Sequence, residues 1–328
     1  TSIPEQVPTP PIPTTNKALI VASKGTYAIT DLPFPALAHA NEVIISNRAA
    51  GLNPIDYKSV DYNFCIPSYP WVTGREMAGV VHSIGSAVTN VKVGDHVWTS
   101  TYYRDARAGC FQHFVTVPAH TVLPLPPNTS FAEAATLGVA GLTAAMTAWH
   151  WLGIPMPPSS PPFSPLSTHQ LPPPQPPTSE IEKKEGGDRE EYLLIWGGST
   201  ITAQFLTQLT TLSSPKIKII AITSTSTAPL AAALGAIPIP RDDLSIPQIV
   251  ARTREIAGDN VTRAVDLVGP ESAKACLEAM SRGRRGVFAP LAMMRDGEVV
   301  PGGVEVVTVE MKRFVLDVEG LDIEGGHR

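Results

Sequence analysis

Tyr192-Leu193-Leu194-Ile195-Trp196-Gly197-Gly198-Ser199-Thr200-Ile201-Thr202-Ala203 is the stretch on which the reading of this chain turns. Residues 192–196 form an apolar run of strand length, Gly197-Gly198 supply a tight turn, and 201–212 carry apolar residues at helical spacing. The alternation then repeats. Strands are expected at 218–222, 264–268 and 286–291, and helices at 228–234 (closed by Gly235), 247–256 and 272–280. Strands separated by helices need crossover connections, which makes the sheet parallel and doubly wound. Ligands of such sheets bind at the carboxyl ends of the strands.

The turn is not G-x-G-x-x-G. It keeps glycines for the turn and Ala203 where the helix must pack closely on the sheet. Free amides at a helix N-terminus, with the hydroxyls of Ser199, Thr200 and Thr202, suit a pyrophosphate. The same letters also fit an ordinary strand-to-helix connection. The next strand ends in Ile222-Thr223-Ser224-Thr225-Ser226-Thr227, with no carboxylate to hold a ribose 2'-hydroxyl. Ser224, Thr225, Ser226 and Thr227 can donate to a 2'-phosphate, although no Arg or Lys directly follows. NADPH is therefore expected over NADH. A polar loop capping the next helix is the other reading.

Upstream the chain is β-rich, with strands expected at 17–21, 42–50, 79–85, 97–99, 111–117 and 121–123. Short strands punctuated by Gly and Pro suggest a compact barrel-like domain. Ser130 with Glu133 three residues on is a capping box that opens a long apolar helix. Thr136, Thr143, Thr147 and His150 interrupt the apolar character of 134–152, so it reads as a buried helix rather than a bilayer span. Residues 155–191 are crowded with proline and end in a mixed charge run, 180–191, read as a polyproline-like loop and a solvated linker. The expected layout is a flexible leader 1–16, a catalytic domain 17–129, a nucleotide-binding domain 130–300 containing the loop 155–191, and a shortened C-terminal return segment 301–328.

The 328 residues allow two domains. A net charge of -5, with no clustered basic face, argues against nucleic acid. Cys65, Cys110 and Cys276 form no CxxC pair and read as unpaired thiols of a reducing compartment. No basic patch followed by an apolar run opens the chain, so a soluble, cytoplasmic protein with no membrane association is expected.

Several motifs occur in one order: Asn53-Pro54-Ile55-Asp56, Gly74-Arg75-Glu76-Met77-Ala78-Gly79, Val93-Gly94-Asp95-His96-Val97, Gly109-Cys110-Phe111-Gln112-His113-Phe114-Val115 and Ala134-Ala135-Thr136-Leu137. Gly141-Leu142-Thr143-Ala144, the Gly197 turn and Val265-Asp266-Leu267-Val268-Gly269 complete the set. Over residues 17 to 310 the chain resembles the medium-chain dehydrogenase/reductase superfamily, in its zinc-independent quinone and enoyl reductase branch. It is most similar there to fungal trans-acting enoyl reductases that serve polyketide synthases. Where zinc alcohol dehydrogenases carry Gly-His-Glu this chain has Arg75, and 51–58 has no cysteine where they place a ligand. An always-protonated guanidinium cannot ligate a cation, so no metal site is expected.

The resemblance implies a GroES-like domain clasping a Rossmann domain, with the active site in the cleft. It implies cofactor contacts from Ile55, Asp56, Tyr57, Lys58, Gly198, Ser199, Thr200, Ile201, Thr202, Leu267 and Val268, besides the 224–227 hydroxyls. Substrate would be bordered by Gly138, Val139, Ala140, Gly141, Leu142, Thr143, Ala144 and Ala145, and by Val287, Phe288, Ala289, Pro290 and Leu291. Hydride from NADPH would reach the β-carbon of an enone or enoyl thioester. Lys58, or Thr143, would stabilise the enolate, with Tyr57 as an alternative proton donor. His96 and His113 are expected to be structural. A small-molecule or carrier-bound enoyl substrate is implied, with a polyketide synthase as partner and the protein a monomer or homodimer. Two departures, Arg241-Asp242 in place of an aromatic near the adenine and Ala232 in place of a basic residue, imply a weaker hold on the nucleotide. They keep open a reductase-like interaction subunit without turnover, beside an NADPH:quinone oxidoreductase.

Overall fold

The computed structural model describes residues 13–63, 65–101, 105–157 and 190–309. The leader before residue 13, most of the proline-rich loop and the segment after residue 309 lie outside the described residues. The described chain divides into two compact units, one running to Val139 and one from Ala140.

In the first unit, β1 (Thr15–Ser23) pairs with β2 (Thr26–Pro33) and β4 (Trp71–Val72) in a three-stranded sheet. A five-stranded antiparallel sheet runs β7-β3-β5-β6-β8, from β3 (Glu42–Ala50), β5 (Glu76–Ile84), β6 (His96–Ser100), β7 (Phe114–Pro118) and β8 (Val122–Pro124). Its core is β-branched and apolar: Val43, Ile45, Met77, Val81, Val97, Val115 and Val117 pack together, the residue types that fit a pleated buried surface. Helix α1 (Pro54–Asp61) had no counterpart in the strand-dominated sequence reading. Pro54 at its first position is preset for a helix, and the Asn53 amide donates to the Asp56 carboxylate at 2.8 Å.

The capping box at Ser130 forms. Its amide donates to Glu133 at 2.8 Å and its hydroxyl accepts from the Glu133 amide at 3.2 Å, opening α2 (Phe131–Ala134). The long helix expected beyond it is not uniformly α. π-helical turns at Leu137–Gly141 and Met146–Trp151 flank α3 (Leu142–Ala145). Phe131–Trp151 is long and apolar enough to cross a membrane by length and composition. Within its own unit each end is built as a core helix: Ala134 and Ala135 pack with Ala78, while Ala144, Ala148 and Leu152 join the core of the second unit. The division of the chain thus falls inside this helical run rather than at residue 130, because α2 packs on β5 and β3.

The second unit is the parallel sheet, β9 (Glu191–Trp196), β10 (Ile217–Thr223), β11 (Ile237–Pro240), β12 (Val261–Asp266), β13 (Gly286–Pro290) and β14 (Val304–Val306). Helices α4 (Ile201–Ser213), α5 (Ala228–Ala233), α6 (Ile246–Ala257) and α7 (Pro270–Ala279) connect them. The spatial order is β11-β10-β9-β12-β13-β14, which is 3-2-1-4-5-6 in chain order. That is the Rossmann arrangement, whose direction reverses between β9 and β12. Strands covered on both faces read as continuous apolar runs; Leu193, Leu194 and Ile195 are wholly buried. Glu190 and Glu191, expected to be part of a solvated linker, are instead ion-paired. Glu190 pairs with Lys218, and Glu191 takes Arg263 at 2.5 Å and Arg284 at 3.1 Å, fastening the start of β9.

Candidate active site

At the switch point of the parallel sheet, Gly197 has φ +91°, which a side chain would strain. A Cβ there would lie 3.0 Å from Val268 Cγ2, and one on Gly198 only 2.6 Å from Ala221 Cβ. The loop therefore lies flush on the strands, where backbone can approach a ligand. The amides of Gly197 and Gly198 are not free. Both donate to the Ile222 carbonyl, at 3.1 and 2.8 Å. Thr200 caps α4, its hydroxyl accepting from the Ala203 amide at 3.2 Å. Among the described residues this leaves the amides of Ser199, Ile201 and Thr202, with the Ser199 and Thr202 hydroxyls, as donors at the start of α4.

Leu267 and Val268 belong to the same place. The Leu267 amide donates to the Trp196 carbonyl at 3.0 Å. The fully buried Asp266 accepts from Gly269 N at 3.0 Å and Val268 N at 3.4 Å, which fixes their turn. Burial pushes the Asp266 carboxyl up, while bonds from Ser272, Val268 and Gly269 pull it down. Val268 is 62% exposed beside Gly197, a bare apolar surface next to the loop. After β10 three of the four predicted hydroxyls interlock with that of Thr223: Ser224 with Ser226 at 3.0 Å and with Thr227 at 2.7 Å, and Thr227 with Thr223 at 2.5 Å. The donor set fits a dinucleotide.

The first unit holds a second constellation, centred on the buried Glu76. Asn53 Nδ2 donates to Glu76 Oε1 at 2.7 Å and the Val139 amide donates to Oε2 at 2.7 Å. One carboxylate thus ties β5 to the start of α1 and to the end of the first unit's helical run. Asp56, also buried, accepts from the Asn53 amide through Oδ2, and its buried Oδ1 has no hydrogen-bond partner. Burial pushes both carboxyls up. For Glu76 the Asn53 and Val139 bonds oppose the rise, and for Asp56 the Asn53 amide and the charge of Arg75 do so. Asn53 and Arg75 therefore border the two buried carboxylates. Among the described residues no three His, Cys, Asp or Glu side chains gather as a metal would need.

The other predicted residues divide by unit. In the first, Ile55 is half-buried, and Tyr57 and Lys58 are exposed on α1. Gly138 is buried against Glu76, and Val139 contributes its amide to that carboxylate. In the second, Thr143 is 9% exposed and Ala140 is buried, with Gly141, Leu142 and Ala145 half-buried. Ala144, Phe288 and Ala289 are wholly buried core residues. Val287, Pro290 and Leu291 are half-buried around them. His96 stacks on Phe131 with ring centres 4.9 Å apart, a packing role, and His113 is exposed. A cavity of about 420 Å³ in the first unit, lined among others by Lys17, Leu19, Asn47, Cys110 and Phe111, contains none of the predicted site residues.

Residues 39–127 match the family model of the alcohol dehydrogenase GroES-like domain. The first unit carries a GroES-like domain. Among curated proteins, the chain is 35% identical over 176 residues to the trans-enoyl reductase tazE of Aspergillus terreus, covering 51% of this chain and 50% of that one. It is 28% identical over 323 residues to the trans-enoyl reductase caaB of Aspergillus niger, covering 95% and 81%. The chain thus spans half the length of the first and most of the second. Among solved structures it superposes on the CurK enoyl reductase with a TM-score of 0.70 at 21% identity, covering 93% and 84% of the two chains. A mycobacterial protein complexed with NADPH gives a TM-score of 0.65 at 22% identity, covering 91% and 83%. The resemblance in sequence is to trans-enoyl reductases, and the fold is shared with enoyl and quinone reductases.

Two groups escaped the sequence reading. The Asn53–Glu76 hub had a partial signal, because Asn-Pro-x-Asp is a helix-start signature; that Asn53 reaches a carboxylate 23 residues away did not. Asp242 was read only as part of a lost aromatic, and its place beside Thr225 had no signal. It arrives from the end of β11 and accepts from the Thr225 amide at 2.6 Å.

Proposed function

We propose that this chain is an NADPH-dependent reductase of activated carbon–carbon double bonds, acting on an enone or enoyl thioester without zinc. A bound nicotinamide cofactor supplies the hydride. The amides of Ser199, Ile201 and Thr202 with the hydroxyls of Ser199 and Thr202 would hold its pyrophosphate, and the hydroxyls after β10 would receive the adenosine end. Gly197 and the exposed Val268 give the nicotinamide ring an apolar seat, held by Asp266 through the turn it fixes. Charge then grows on the substrate carbonyl oxygen and needs a positioned donor. Lys58, an exposed cation on a helix anchored by Asn53 and Asp56, is the first candidate. Thr143 is the second, its hydroxyl not engaged by its own helix backbone among the described residues.

The observation that carries this reading is the Glu76 hub. A GroES-like frame is kept, while an amide and a guanidinium stand where metal ligands would be required, so the substrate carbonyl would be polarised by a side-chain donor instead of a metal. The similarity to proteins named trans-enoyl reductases supports an enoyl thioester on a carrier, with a polyketide synthase presenting it. The test is NADPH oxidation with a crotonyl thioester of a pantetheine analogue, after dialysis against a chelator. Turnover that survives chelation is expected. Turnover restored only by zinc, or reduction of a quinone but of no enoyl thioester, refutes the proposal.

A further inference from the structure

The sequence reading found no cation after β10 to meet a 2'-phosphate, and treated Arg241-Asp242 only as a lost aromatic. The fold changes what those two residues are. β11 is the parallel neighbour of β10, with Thr223 opposite Pro240 in register. The next residue, Arg241, is pinned by its amide to the Thr223 carbonyl at 2.9 Å. This delivers Arg241 and Asp242 to the loop carrying Ser224–Thr227. The Asp242 carboxylate is not loose there: it accepts from the Thr225 amide at 2.6 Å. The Arg241 side chain is exposed and close enough to act on the Asp242 charge.

A carboxylate bonded to a loop amide is what a phosphate oxygen would be at the same amide: an anion taking the same donor. The hydroxyls of Ser224 and Ser226 lie on the same loop, paired with each other at 3.0 Å and able to reorient toward an incoming oxygen. An NAD-selective sheet would send a carboxylate from the end of the second strand to the ribose. Here it comes from the third strand and is spent on a backbone amide instead.

Resting on the reading of this sheet as the nucleotide site, we propose that Arg241 and Asp242 set the specificity for the nucleotide 2' position. Arg241 attracts the 2'-phosphate, and Asp242 competes with it for the Thr225 amide. The two side chains act with opposite signs. The chain then discriminates between NADPH and NADH only weakly, because the attraction is partly cancelled by a carboxylate built into the site. Unit charges about 5 Å apart at an exposed site interact weakly enough that each change is worth about fivefold to tenfold in affinity for a doubly charged phosphate.

The test is calorimetric titration of the full chain with NADP and with NAD, on the wild type and on Asp242→Asn, Asp242→Ala and Arg241→Ala. Asp242→Asn keeps an acceptor for Thr225 and guards against a loop that merely unravels. Both Asp242 variants are expected to bind NADP about fivefold to tenfold more tightly, with NAD changed less than twofold. Arg241→Ala is expected to weaken NADP by a similar factor and to leave NAD alone. If both nucleotides bind but the NADP/NAD ratio is the same in all four proteins, the specificity proposal is overturned while the nucleotide site stands. Loss of NAD binding in the Asp242 variants also overturns it, since Asp242 would then hold the ribose directly. Binding of neither nucleotide to any protein overturns the site and the proposal together.

Discussion

Gly51→Ala is a one-carbon change whose consequence can be worked from the Glu76 hub. Gly51 has no left-handed backbone to protect, so the effect is steric alone. A Cβ there would stand 2.4 Å from Glu76 Oε1, 2.5 Å from the Ala135 carbonyl oxygen and 2.6 Å from Glu76 Cδ. Reaching even a 3.0 Å contact requires the carboxylate to withdraw by about 0.6 Å (3.0 less 2.4). It cannot do so freely, because Asn53 Nδ2 and the Val139 amide grip its two oxygens at 2.7 Å each. Overpacking a rigid core costs about 1–3 kcal/mol, and loosening one charge-assisted hydrogen bond about 1.5–3 kcal/mol. The expected loss is about 3–5 kcal/mol in urea-induced unfolding, read as a lower midpoint at an unchanged slope. In an Glu76→Ala background two of the three clashing atoms are gone and only Ala135 remains, so the same substitution should cost about half as much. A Gly51→Ala cost below about 1 kcal/mol, or an equal cost in both backgrounds, refutes the clamp.

Three further outcomes follow from the same structure. Arg107 donates to the buried Glu42 at 2.8 and 3.2 Å; although burial raises the Glu42 carboxyl, the Arg107 bond with the Ala38 and His39 amides holds it below its usual value. A depressed carboxyl stabilises the fold above its unfolded pKa, and that stability is lost as pH falls through the folded value. Arg107→Ala should therefore cost about 2 kcal/mol near neutrality, shrinking toward acid in a pH series of thermal melts. Asp266 is raised by burial, so its contribution is present below the ordinary carboxylate range and fades as pH rises through the folded value. Asp266→Asn should gain on the wild type as pH rises across that window, and a flat difference would refute the assignment. Lys58→Met should lower kcat with the enoyl thioester by about tenfold to a hundredfold while NADPH binding by fluorescence titration stays near wild type. A change confined to KM would remove Lys58 from the chemistry.

The five-stranded sheet and four of the six parallel strands were legible from residues alone because each strand is written locally, whereas β2, β11 and β14 were not expected. Runs such as Tyr192–Trp196 and Lys218–Ile222 are apolar at strand length, and Gly197, Gly235 and the Ser130–Glu133 box punctuate them. Helix α1 was not legible, since eight mostly polar residues carry no periodic stripe. What the chain withheld depends on contacts distant in sequence. Glu76 meets Asn53 and Val139 only when β5 folds beside α1 and the helical run that follows β8. Gly197 and Gly198, read as turn residues, spend their amides on Ile222 of the neighbouring strand. Phe288 and Ala289, carried over as substrate contacts, turn inward because β13 is covered on both faces. Asp242 reaches Thr225 because parallel pairing sets β11 beside β10. Local propensity and pattern fixed the elements; which polar groups meet was decided by strand order and register, which no window of sequence contains.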